Sequence, residues 1–85
     1  MRLVETSKFK KQRKKLKSVE EKEELKNAIL KAVGDPHSGK KLKGEFRELF
    51  SLKYSVKGQS RRLIYKMEKE TLVLFSFGPM EGIYK

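Results

Sequence analysis

Three β-prone segments, separated by short polar turns, occupy the second half of the chain. Between positions 46 and 56 apolar side chains recur at every second residue apart from a break at Glu48 and Leu49, which is the period of a strand with one solvated face. After a turn that contains Gly58, a second alternating segment places Leu63 on one face and Arg62 on the other. Residues 71–77 form a nearly continuous apolar run, typical of a strand covered on both faces. The spacing predicts an antiparallel meander of three strands.

A basic segment precedes this meander and is predicted to form a first helix. Thr6 or Ser7 can cap it, because a side-chain oxygen accepts a hydrogen bond from a free amide of the first turn. Seven of the ten residues at 8–17 are basic, and only Phe9 and Leu16 mark an inward stripe. Such a helix needs the rest of the domain for stability.

The second predicted helix has clear signals at both ends. Ser18 and Glu21 match a capping box, and the acidic residues that follow Val19 suit the positive end of the helix dipole. Gly34, followed by Asp35 and a proline, ends the helix, and residues 35–44 are then expected to form a polar loop. One apolar face is formed by Leu25, Ala28, Ile29, Ala32 and Val33.

The order of elements predicts an α+β fold. Residues 2–5 form a short extended segment that can pair with the later sheet as an edge strand. The resulting order is β-α-α-β-β-β, with a helical hairpin packed on one face of a small, mainly antiparallel sheet and the other face left open. At this length we expect one domain, spanning residues 1–85.

The charge of the chain points to a polyanionic or acidic partner. Twenty-two Lys and Arg residues against 11 Asp and Glu residues give a formal charge of +11, which suits RNA on an open basic sheet face. The absence of cysteine excludes disulfides and thiolate chemistry, and no metal-ligating pattern or membrane span is present in the sequence. We therefore expect a soluble, cytoplasmic protein that needs no metal or other cofactor.

Several segments resemble the RelE/ParE superfamily of toxins from toxin-antitoxin pairs. The resemblance covers nearly the whole chain and rests on "KLKGEFRELFSLKYSV", "RRLIYKM" and "LVLFSFGPMEGIY". It implies a RelE-like fold, related to microbial ribonucleases. RelE-like members are ribosome-dependent endoribonucleases that cut mRNA without a metal and are neutralised by an antitoxin, whereas ParE-like members share the fold but inhibit DNA gyrase.

The resemblance also implies roles for three residues. Lys53 matches a lysine suited to general-base or charge-stabilising work, and Arg62 matches an arginine that contacts the scissile phosphate. Tyr84 corresponds to a late aromatic residue that stacks on or orients the nucleotide. In this reaction the ribose 2′-oxygen attacks the adjacent phosphate, so that cationic side chains must stabilise a doubly charged phosphorane.

Two positions depart from the family pattern. Ser51 stands where the family has another lysine, and Met80 stands where many RelE-like members carry a cation. Either Arg61, Lys41 or Lys43 supplies the missing charge, or the chain is an attenuated toxin that only binds its antitoxin. The candidates for binding RNA phosphates are Arg61, Lys41, Lys43 and Arg47.

Overall fold

The computed structural model of the chain describes residues 2–44 and 48–79. Within these residues two α-helices and a short 3-10 helix accompany five strands in one sheet. The elements are β1 (Arg2–Glu5), α1 (Ser7–Lys14), α2 (Val19–Gly34), the 3-10 helix (Pro36–Ser38), β2 (Lys40–Lys41), β3 (Leu49–Val56), β4 (Gln59–Glu68) and β5 (Thr71–Pro79).

The strands lie side by side in the order β1-β5-β4-β3-β2. Strands β2 to β5 pair antiparallel, and β1 lies at the edge of the sheet, parallel to β5. The predicted α+β class, the mainly antiparallel sheet and the edge position of residues 2–5 are therefore confirmed. Strand β2, which lies within the segment expected to be a loop, is an addition that the sequence patterns did not indicate.

Both helices begin at the caps that the sequence predicted. The Thr6 side chain accepts a hydrogen bond from the Phe9 amide at 3.2 Å, and Ser18 accepts one from the Glu21 amide at 3.4 Å. Helix α1 ends at Lys14 rather than at residue 17. Its last turn tightens, because the amides of Lys15 and Leu16 donate to carbonyl groups only three residues earlier. The chain can then turn into the Ser18 cap of α2.

The hydrophobic core lies between the helices and one face of the sheet. Phe9 from α1 packs edge-on against Phe77 of β5, with ring centroids 5.2 Å apart. The predicted stripe of α2 meets the central strands, and Ala32 is completely buried. Core residues on the sheet are Leu52, Leu63, Tyr65, Leu72, Leu74 and Phe77. We call this side of the sheet the helix face and the opposite side the outer face.

The outer face is less open than the sequence predicted. Ser51, Ile64 and Ser76 lie side by side on three neighbouring strands, and all three are at most 5% exposed. Elsewhere on β5, Val73 is half-buried on this side, whereas Leu72 and Leu74 are buried on the helix face. The apolar run of β5 is thus covered fully on one face and partly on the other.

The segment 35–44 contains regular structure because specific contacts order it. The Asp35 carboxylate accepts a hydrogen bond from the His37 amide and so caps the 3-10 helix. The Tyr65 hydroxyl, which comes from the core, donates to the Pro36 carbonyl at 2.7 Å. A Cβ at Gly39 would lie 2.6 Å from the Tyr65 oxygen and 3.1 Å from the Ser51 carbonyl oxygen. Glycine therefore permits β2 to approach β3 closely.

Candidate nucleic-acid interface

Two of the predicted site residues lie directly opposite each other on the outer face. In the antiparallel pair β3–β4, Lys53 is the register partner of Arg62. Side chains of directly opposed residues project from the same face, with Cβ atoms about 4.5–5.5 Å apart. The structure thus brings the lysine and the arginine together, at the end of the sheet nearest the β3–β4 turn.

A serine contacts the Arg62 side chain. The Nη1 group of Arg62 donates a hydrogen bond to the Ser51 hydroxyl, with 3.4 Å between the heavy atoms. Ser51 is two positions before Lys53 on β3, and its side chain is 4% exposed. The guanidinium therefore extends along β3, away from the turn. In the sequence, Ser51 is distinguished only by standing where the family has a lysine. The alternation of β3 placed it on the correct face, but no sequence signal indicated the hydrogen bond.

The strand on the other side of Arg62 leaves space above the backbone. Gly78 of β5 is the register partner of Arg62, and its φ of +148° lies in a region that L side chains rarely adopt. Among residues 2–44 and 48–79, no atom lies within 4 Å of the position that a Cβ would take there. Within this part of the chain, Gly78 therefore leaves space beside Arg62 for a planar base or a phosphate group.

Charge on the outer face is distributed unequally along the strands. Lys53 is exposed and makes no ion pair with any residue in the ranges 2–44 and 48–79. Lys66 lies farther along β4 and contacts Glu48 at 3.3 Å and Glu68 at 2.7 Å. Hydrogen bonds to Glu68 and Glu48 raise the pKa of Lys66, so this cation stays protonated and is compensated. No carboxylate within the described residues compensates the charge of Lys53, which is therefore accessible to an external anion.

Arg61 lies on the helix face, away from Arg62. Its guanidinium is 3.3 Å from the Glu21 carboxylate of α2, and its side chain is 19% exposed. The neighbouring Tyr54 is its register partner, and burial raises the Tyr54 pKa to about 12, partly opposed by the positive charge of Arg61. Arg61 therefore joins the helices to the β3–β4 hairpin, and the structure does not bring it together with Lys53 and Arg62.

The remaining predicted residues lie at or beyond the edge of the described site. Lys41 of β2 is the register partner of Phe50, so it lies on the helix face of the sheet. Lys43 follows β2 and is exposed. Arg47, Tyr84 and Met80 lie outside the described residues. In the part of the chain that the structure describes, no group of three His, Asp or Glu side chains is placed to bind a metal ion.

A second surface with a different composition lies on the helical hairpin. It is a groove of about 570 Å³ with apolar side chains at its base and basic side chains at its rim. Leu30 and Leu3 contribute apolar surface that is 56% and 49% exposed. The groove is lined by Leu3, Leu16, Leu25, Ile29 and Leu30 together with Arg13, Lys14, Lys22 and Lys26.

No helix within residues 2–44 and 48–79 is long and apolar enough to cross a bilayer.

Comparison with known proteins identifies one matching family. Residues 3–85 match the model of the "ParE-like toxin of type II bacterial toxin-antitoxin system". No curated protein matches the chain significantly.

Solved structures share the fold. The isolated Escherichia coli RelE toxin is 24% identical, with a TM-score of 0.74 over 98% of this chain and 89% of that one. The toxin in the intact E. coli RelBE toxin-antitoxin complex is 21% identical, with a TM-score of 0.73 over 94% and 96% of the two chains. A mutant of E. coli RelE bound to a RelB antitoxin peptide is 20% identical, with a TM-score of 0.70 over 95% and 84%.

Proposed function

Because this chain belongs to the family of ParE-like toxins of type II bacterial toxin-antitoxin systems, we propose that it is a RelE-like toxin that cleaves mRNA on the ribosome and thereby inhibits translation. The observation that carries the proposal is the Lys53–Arg62 pair on the outer face. Two cations placed side by side at a strand pair suit phosphate chemistry, because such groups stabilise the charge that develops in its transition state. The reaction would take place in the cytoplasm, where translating ribosomes are found.

The two side chains suit different parts of the reaction. The planar guanidinium of Arg62 can donate two parallel hydrogen bonds to the non-bridging oxygens of the scissile phosphate. Lys53 is exposed beside it and can stabilise the negative charge that grows as the deprotonated 2′-oxygen bonds to the phosphorus. The bond from phosphorus to the 5′-oxygen of the next nucleotide then breaks, and that oxygen takes up a proton and leaves as a hydroxyl group. Tyr84 is proposed to stack on or orient the nucleotide, as the resemblance implies. No step requires a metal ion or another cofactor.

The decisive experiment measures both the position and the chemistry of cleavage. Purified chain should cut ribosome-bound mRNA, and the 5′ fragments should end in a 2′,3′-cyclic phosphate. Lys53→Ala should lower the single-turnover rate by about 10²-fold, as expected for a lost electrostatic contact. Lys31→Ala removes the same charge from an exposed position on α2 and serves as the matched control. Intact mRNA on translating ribosomes would contradict the proposal.

We further propose that the helical groove binds the cognate antitoxin. Its apolar base and basic rim are complementary to an acidic, amphipathic segment, and such a segment would stabilise the folded toxin on binding. Leu30→Glu should abolish binding to the cognate antitoxin. Val19→Glu is the matched control, because Val19 is 74% exposed on the same helix but does not line the groove. A thermal melt that is unchanged by saturating antitoxin would argue against this partner.

Two alternatives follow from particular findings. The family model is that of a ParE-like toxin, which keeps inhibition of DNA gyrase as a second candidate function. A DNA supercoiling assay separates the two activities. The uncharged Met80 favours a third candidate, an attenuated toxin that only binds its antitoxin. Antitoxin binding without detectable cleavage or gyrase inhibition would support this last alternative.

A further inference from the structure

Lys40 lies on the same face of the sheet as the proposed site, although sequence analysis did not select it. In the pair β2–β3, Lys40 is the register partner of Ser51, whereas Lys41 is the partner of Phe50. Ser51 belongs to the outer face, and Phe50 packs against the core on the helix face. The two neighbouring lysines therefore project to opposite sides of the sheet edge.

The Arg62 guanidinium extends towards the position of Lys40. Arg62 donates its hydrogen bond to the Ser51 hydroxyl, and Ser51 is the residue that Lys40 directly opposes. Lys53 is two residues beyond Ser51 on the same strand, so Lys40 and Lys53 form a diagonal pair across β2 and β3. Residues in such a diagonal arrangement are typically about 7–8 Å apart. The guanidinium thus extends into the region between two lysines.

Nothing in the described structure compensates the charge of these two lysines. Lys40 and Lys53 are both exposed, and neither makes an ion pair within residues 2–44 and 48–79. Like charges close together on one sheet face are destabilising. By contrast, Lys66 on the same face contacts two glutamates. An arrangement that is unfavourable for the free protein becomes favourable when a polyanion binds across it.

Contacts between the core and the residues that precede Lys40 fix the position of its backbone. Gly39 allows β2 to lie close to the Ser51 carbonyl, where a side chain at residue 39 would collide with Tyr65. Tyr65 in turn anchors the preceding 3-10 helix through the Pro36 carbonyl. The edge strand is therefore fixed by contacts with the core. Its length of two residues is sufficient to determine the direction of Lys40.

We propose that Lys40 is a third phosphate-binding cation of the outer-face site and that it binds the RNA phosphate next to the one bound by Arg62 and Lys53. This inference rests on the proposed function, since it extends the same RNA site. It also accounts for the missing lysine at Ser51, because the side chain opposite Ser51 supplies a cation from the neighbouring strand.

The test uses a labelled single-stranded RNA in which every ribose is 2′-O-methylated, so that binding is measured without cleavage. Each phosphate contact contributes about 0.7 to the slope of the logarithm of affinity against the logarithm of salt concentration. The slope is negative, and Lys40→Met should reduce its magnitude by about 0.7, whereas Lys40→Arg should restore it. Lys31→Met, which removes the same charge on the helix side, should leave the slope unchanged. On ribosomes, Lys40→Met should lower single-turnover cleavage by about tenfold.

The binding assay decides this proposal separately from the proposed function. A reduced slope for Lys40→Met, found in a chain that does not cut mRNA, would support the Lys40 contact and contradict the nuclease activity. An unchanged slope for Lys40→Met, in a chain that does cut mRNA, would overturn the Lys40 contact alone. Equal losses for Lys41→Met and Lys40→Met would also overturn it, because charge rather than the face of the strand would then determine binding.

Discussion

The two faces of the sheet carry similar cations but use them differently. On the helix side, Arg61 contacts Glu21, Lys57 contacts Glu20 at 3.7 Å, and Arg13 contacts Glu5. On the outer face, Lys66 contacts Glu48 and Glu68, whereas Lys40 and Lys53 have no such carboxylate partner among residues 2–44 and 48–79. A net charge of +11 therefore does not indicate where on the sheet a polyanion binds. The distribution of acidic partners along the sheet is the better guide, because paired cations are already compensated.

The adjacent arginines allow the strongest test of this contrast. Arg62→Ala should lower single-turnover mRNA cleavage by about 10²- to 10³-fold, because one transition-state contact is lost. Arg61→Ala should lower cleavage less than about tenfold but reduce the free energy of unfolding by about 1 kcal/mol, through loss of the half-buried ion pair with Glu21. Urea unfolding and ribosome cleavage assays measure the two effects. Equal cleavage losses for the two variants would refute the distinction between the faces.

A second prediction adds a cation at residue 80, which follows β5 in the sequence. If Met80 occupies the position of a phosphate-contacting residue, Met80→Arg should raise single-turnover cleavage by about 10²- to 10³-fold and make expression more toxic. Arg62→Ala in the same background should remove the gain. Equal rates for the parent and Met80→Arg would show that another cation already supplies this contact, and Lys40 would be the first residue to examine.

The third prediction concerns the connection between the core and the edge strand. Tyr65→Phe keeps the ring that stacks on Phe50 but removes the hydrogen bond to the Pro36 carbonyl. We expect the free energy of unfolding to fall by about 1–2 kcal/mol, because a part-buried carbonyl loses its donor. Hydrogen exchange should increase at residues 36–41 and remain unchanged in α1. Uniform exchange changes across both regions would show that Tyr65 does not act locally on β2.

The smallest predicted effect is a pH dependence on the helix face. Burial raises the folded-state pKa of Tyr54 to about 12, above the usual value of 10.0. The unfolded chain therefore loses this proton first, so the stabilising contribution is complete below pH 10 and is lost as the pH rises towards 12. Tyr54→Phe should flatten the decline of stability over this interval, as measured by urea unfolding at several pH values. An identical decline in both proteins would contradict the burial of the hydroxyl.

Local sequence patterns predicted most elements of the fold, including both ends of α2, but not the edge strand β2. The caps at Thr6 and Ser18 are short-range contacts between residues three apart, so they could be recognised from the sequence. Strand β2 was missed because it depends on Gly39 fitting against Tyr65, 26 positions later in the chain. Helix α1 ends at Lys14, three residues before the basic segment ends, since the turn into α2 rather than helix propensity determines its end.

The sequence by itself determined the period of β3 and β4, and hence that Lys53 and Arg62 project from one face once the two strands pair. Alternation is a property of the extended backbone and needs no tertiary information. Only the tertiary structure decided which cations are compensated. The Glu21 carboxylate that binds Arg61 lies 40 positions away, and the Ser51 hydroxyl contacts Arg62 across a strand pair. Such contacts depend on how the helices and strands pack, because charges distant in sequence meet only when the core brings their elements together.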